Sequence, residues 1–165
     1  MRNIAIFVFA VAALAAAGML AHAAEGTVKG SVAYEGMTVD FKHVYMITGP
    51  DVFDPKATVR TLLFTDADIG DKVKACESVF CATGLVLNGM TVDFGSRPRF
   101  NYWVGVNNQL LQIGGTAITA DAFKSTADTA DHMAGTLIVD DSEVKGPKAE
   151  ATFDVTLTKA FTAHH

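Results

Sequence analysis

The stretch AEATFDVTLTKAF, Ala149 to Phe161, alternates apolar and polar side chains with a single interruption. Ala149, Ala151, Phe153, Val155, Leu157 and Phe161 share one parity, broken only by Lys159; Glu150, Thr152, Asp154, Thr156 and Thr158 share the other. Successive side chains of a strand point to opposite faces. A period of two therefore puts one face on a core and the other in water, as in an antiparallel sheet. Just before it, Gly135-Thr136-Leu137-Ile138-Val139-Asp140 reads as a second strand, joined through the polar residues Ser142 to Lys148. Together they predict a hairpin.

Working outward, Thr27–Tyr34, Thr58–Phe64, Phe100–Val106 and Leu110–Ile113 also read as strands, with Asn107-Asn108 as the turn between the last two. A short phrase occurs twice, as Gly36-Met37-Thr38-Val39-Asp40-Phe41 and Gly89-Met90-Thr91-Val92-Asp93-Phe94. Each copy follows an apolar stretch (Val32–Tyr34 or Leu85–Leu87), and Glu35-Gly36 or Asn88-Gly89 supplies a hairpin turn. Alternation predicts Met, Val and Phe of both copies on the core, with Thr, Asp40 and Asp93 in water. Two helical patches interrupt the strands: Asp71–Phe80, and the alanine-rich Thr119–Ala130 as a short connecting helix. About nine short strands separated by turn residues define an all-β domain. The expected architecture is an antiparallel β-sandwich or a closed barrel with one or two short helices. Strands of about six to eight residues fall short of the roughly nine to eleven that a transmembrane β-strand needs.

Ahead of this domain stands MRNIAIFVFAVAALAAAGMLAHA, residues 1–23. Arg2 precedes an apolar run from Ile4 to Leu20, and Ala21-His22-Ala23 is a small-x-small cleavage site. This is the pattern of a secretory signal peptide. Cleavage leaves one domain, residues 24–165, in the periplasm or outside the cell, and not in the membrane. Cys76 and Cys81 then predict a disulfide, because that compartment is oxidising. Residues five apart in a continuous helix have Cα atoms about 8–9 Å apart, from the rise and radius of the helix. A disulfide spans no more than about 7 Å. The helix begun at Asp71 must therefore end or tighten before Cys81.

The chain has 13 Lys and Arg against 18 Asp and Glu, a net charge of −5, and its cations are scattered. With no basic stripe there is no electrostatic footprint for nucleic acid. Asp66, Asp68 and Glu77 fall at calcium-ligand spacing, but Asp71 stands where such a loop needs glycine. The expectation is a strand-to-helix connection in which Asp68 or Asp71 accepts helix N–H groups. Histidine and methionine suit copper, but His43 with Met46 and His132 with Met133 diverge on extended backbone, and His164-His165 end the sequence on an expected mobile tail. No metal and no cofactor is assigned.

His43 shares parity with Met37, Val39, Phe41, Tyr45 and Ile47, which predicts a core-facing imidazole. The most distinctive loop is Thr48–Lys56, where Phe53 stands between Asp51 and Asp54 and between two prolines. A stiff loop presenting an aromatic suits contact with a partner. Phe53, Asp51, Asp54 and His43 are accordingly the candidate contact residues. The reading is a non-catalytic exported module that binds a protein or small-molecule ligand. Its alternatives are an exported hydrolase using loop carboxylates or His43, and a metal-handling protein.

Overall fold

The computed structural model describes residues 26–52, 54–95, 101–107, 109–112 and 122–165. The leader, residues 1–23, lies outside them. In chain order the described elements are β1 (Thr27–Tyr34), β2 (Met37–Asp40), β3 (His43–Pro50), β4 (Thr58–Thr65), α1 (Gly70–Ala75) and α2 (Val79–Thr83). There follow β5 (Gly89–Phe94), β6 (Asn101–Val106), β7 (Gln109–Gln112), β8 (Phe123–Asp128), β9 (His132–Asp140) and β10 (Lys148–Ala160). The protein is all-β.

The predicted hairpin forms: β9 and β10 pair antiparallel from Lys148 opposite Asp140 to Thr156 opposite His132. β10 is the hub of the sheet. Its first part lies between β1 and β9, and its last residues run parallel to β3. β2 flanks β1, β8 flanks β9, and β3 to β7 continue as antiparallel neighbours. The ten strands make one open sheet, with β2, β7 and β8 at its edges. No closed barrel forms among the described residues.

One interior joins the two wings of this sheet. Val32, Met133 and Phe153 from the β1-β9-β10 wing pack with Met46, Leu62 and Val92 from the β3–β7 wing. Aromatic rings carry the contact across: Phe64 lies 5.1 Å from Phe41 and 5.4 Å from Phe153, and Phe123 lies 5.8 Å from Phe153 and 5.2 Å from Phe94. At the periphery the Tyr102 hydroxyl donates to Asp141 in the β9–β10 turn, and Arg60 pairs with Asp128 at the end of β8.

A second apolar cluster covers the opposite face of the β3–β4 region. Tyr45, Ile47 and Leu63 pack there against Val73 of α1, Val79 and Ala82 of α2, and Phe161. The β3–β4 region is thus buried on both faces, so Val44 to Ile47 and Leu62 to Phe64 are all buried. A register shift between Leu157 and Lys159 in the pairing with β3 turns Phe161 toward this second cluster. Lys159, the break in alternation, has its own task. Its ammonium donates to the carbonyls of Lys74 (2.6 Å) and Cys76, neutralising the C-terminal end of α1.

The helix does end before Cys81. Cys76 takes extended geometry (φ −60°, ψ 148°), and Ser78 restarts the chain by accepting the Cys81 N–H. Cys76 and Cys81 form a disulfide with Cα atoms 5.6 Å apart. Replacing both with serine lowers stability by about 2 kcal/mol, since the closed loop is short; urea unfolding with and without the bridge measures this.

Two local expectations are corrected. Thr119–Ala130 is not helical over its described part, where β8 pairs with β9 and Phe123 enters the core. Cross-strand bonds and one partly buried ring outweigh the helical propensity of the alanines. Asn88-Gly89 is not a hairpin turn: Gly89 already sits in β5 opposite Thr65, at φ +145°. A Cβ there would lie 2.0 Å from the Phe64 carbonyl oxygen, so the position requires glycine. Glu35-Gly36, by contrast, makes a two-residue turn with both φ values positive, and Tyr34 faces Met37 across it.

Candidate binding cleft

The helices cover only part of the outer face of the β3–β7 wing. Beyond them, β4 presents Thr61, β5 presents Thr91 and Asp93, and β6 presents Trp103. Register places Thr61 opposite Asp93 and Thr91 opposite Trp103. These residues floor a concavity walled on one side by Gly49–Val52 and on the other by α2 and the tail after β10. Its main chamber, about 410 Å³, is lined by Asp51, Thr61, Asp93, Trp103 and His164. An adjoining chamber of about 250 Å³ shares Asp93, Trp103 and His164 and adds Thr91 and Phe80.

The tail reaches the cleft because it is bound to α2. Phe161 N–H donates to the Thr48 carbonyl (2.7 Å), the Ala163 carbonyl accepts from Val79 N–H, and the His164 carbonyl accepts from Phe80 N–H (2.8 Å). Two free N–H groups of a helix start are satisfied in this way. The expected mobile tail is therefore docked, and His164 becomes part of the wall.

Polar groups in the cleft are incompletely satisfied. Thr61 donates its hydroxyl to Asp93 Oδ1 at 2.6 Å. Burial is the main reason that the Asp93 carboxyl is pushed up to about 6; the Thr61 bond opposes the rise and nearby Asp51 adds to it. Burial and His165 lower the His164 pKa, against the opposing pull of Asp51. Thr91, 1% exposed, holds a buried Oγ1 with no hydrogen-bond partner, and His164 Nδ1 is likewise buried and unpartnered among the described residues. Such groups cost free energy unless something meets them. Around them the mouth is apolar: Phe80 is 64% exposed and Val52 49%.

Asp51 raises the pKa values of both Asp93 and His164. Asp51→Asn therefore lowers both together, which NMR titration of the Asp93 carboxyl and the His164 ring checks. Ordinary independent behaviour of the two groups would contradict their shared field.

The sequence candidates separate. Asp51 lines the cleft, with its Oδ1 accepting Asp54 N–H at 3.0 Å. Asp54 is exposed and serves the loop itself, accepting Lys56 N–H and, through its carbonyl, Ala57 N–H. Phe53 lies outside the described residues. His43 stands at the far end of β3 from Gly49 and Pro50, about 20 Å along an extended strand. Its ring stacks on Tyr45, whose hydroxyl donates to Asp68 Oδ1 at 2.6 Å. His43 is half-buried on the side of the second cluster, not with Met37, Val39 and Phe41 in the main core. The two residues between β2 and β3 reset the parity. Asp68 also accepts Gly70 N–H at 2.9 Å, the helix-start role expected of it. Among the described residues no three His, Cys, Asp or Glu side chains are grouped to hold a metal ion.

Sequence reasoning missed Thr91, Trp103 and His164, and set Asp93 aside as a solvent-facing residue. The echoed phrase did single out Asp93, but the two copies diverge: Asp40 is exposed on edge strand β2, whereas Asp93 lies between β4 and β6. Met90, Val92 and Phe94 do face the core. Thr91 and Asp93 do not face open water, because α2 and the tail overhang them.

Fold and cleft together define an all-β protein with a helix-flanked concavity on the outside of its sheet. No protein-family model, curated protein or solved structure matches this chain.

Proposed function

We propose that the protein is an exported, non-catalytic binding module whose ligand enters the cleft between Gly49–Val52 and α2. The observation that carries this reading is Thr91 Oγ1, buried without a partner among the described residues on the floor of a concavity that also holds Asp93 and Trp103. A buried group left unsatisfied by its own chain is suited to a hydrogen bond from outside. The disulfide is consistent with an oxidising compartment, and among the described residues no helix is long and apolar enough to cross a membrane. Export itself rests on the leader, residues 1–23.

A fragment screen by two-dimensional NMR tests the reading. Shifts from bound fragments are expected to cluster at Thr91, Asp93, Trp103 and His164, and hits scattered over the surface overturn it. Phe53 follows Val52 directly in sequence. Phe53→Ala is expected to weaken those hits at least several-fold while leaving the circular dichroism spectrum unchanged; undiminished binding removes Phe53 from the site.

The presence of Asp51, Asp93 and His164 in one cleft favours a second reading, an exported hydrolase with Asp93 as proton donor. Turnover of ester or glycoside substrates that is lost in Asp93→Asn would support it over simple binding.

A further inference from the structure

We infer that the cleft takes a small organic ammonium ion, its charged head against Asp93 and Thr91 and its apolar body between Trp103 and Phe80. The inference rests on the binding reading above and adds the chemical class of the ligand.

Among the described residues, acceptors dominate the floor. The Asp93 carboxyl uses one oxygen for Thr61, the Thr91 hydroxyl has no partner among the described residues, and Asp51 contributes a second carboxyl to the same chamber. His164 adds a buried Nδ1 with no partner among the described residues. An ammonium head supplies N–H donors to such a set, and its charge relieves the mutual repulsion of the two carboxylates. An anion meets that repulsion, and a neutral polyol leaves it in place.

The mouth chooses the rest of the molecule. Trp103 and the exposed Phe80 and Val52 offer apolar and π surface beside the carboxylate. A cation with an aromatic or aliphatic body gains from both burial and the attraction of a ring face for positive charge. A bare metal ion gains nothing from that surface. Chambers of about 410 and 250 Å³ suit a molecule of that size.

Trp103 is the only tryptophan in the chain, so emission excited selectively at tryptophan reports on the cleft. The probes are 2-phenylethylamine, 2-phenylethanol and phenylacetate, titrated at pH 8 into the disulfide-bonded protein. The amine is expected to change Trp103 emission saturably and to bind at least ten-fold more tightly than the alcohol or the acid. Asp93→Asn is expected to remove that preference, and Thr91→Val to weaken the amine several-fold. Equal binding of the alcohol or the acid overturns the ammonium inference and leaves the binding cleft standing. No saturable response to the amine overturns it too, and the fragment screen then decides the cleft separately.

Discussion

Asparagine in place of Asp93 stabilises the protein at pH 8 by about 2–3 kcal/mol, an effect opposite in sign to that of most buried substitutions. The folded carboxyl titrates at about 6, above the roughly 3.9 of an unfolded chain. Between about pH 4 and 6 the folded protein keeps a proton that the unfolded chain has released. Stability therefore falls as pH rises through that window and is level above it. Asparagine keeps the acceptor for the Thr61 hydroxyl and carries no charge to bury. Thermal unfolding from pH 4 to 8 is expected to show the wild-type decline and its absence in Asp93→Asn. A variant less stable than wild type at pH 8 would mean that Asp93 is held by a favourable partner. A carboxylate retained against folding stability is what a binding site requires of the residue that meets its ligand.

Phe64→Ala is expected to cost about 3–5 kcal/mol and to lower the unfolding temperature by roughly 10 °C or more. Phe64 is fully buried, and its ring touches Phe41 from one direction and Phe153 from the other. Phe153 belongs to the hub strand β10, so the lost ring opens a cavity between the two wings of the sheet. The surrounding strands, held by backbone ladders, close such a void only in part. Phe80→Ala is the control. That ring is mostly in water, and its removal is expected to change stability by under about 0.5 kcal/mol. Similar losses for the two variants would contradict the placement of the core.

How far the chain could be read depends on how many faces an element buries. β10 was legible because residues 148 to 156 alternate strictly between exposed and buried. β4 carried no such alternation, since it packs the main core on one side and the helices on the other; only its β-branched and aromatic content marked it. β8 misled, because Phe123 alone enters the core and the other side chains are polar or small. The cleft was the least legible feature. Asp51 was reached through its loop, but Asp93 and Asp40 sit in the same phrase and differ only in what lies above them. His164 lies on a tail whose position depends on helix N–H groups eighty-odd residues earlier, a contact that no local pattern announces.

By itself, the sequence determined that alternating segments pair into an all-β sheet with a hairpin at its end, and that the helix must break between two cysteines five residues apart. Those outcomes follow from local geometry: the period of side chains along a strand, and the distance a disulfide can span. Only the tertiary structure decided that β10 joins both wings, that α2 and the tail overhang β5, and that one aspartate of an echoed pair is buried. Burial and electric field are sums over every neighbouring segment, so two identical stretches of chain acquire different chemistry from different surroundings.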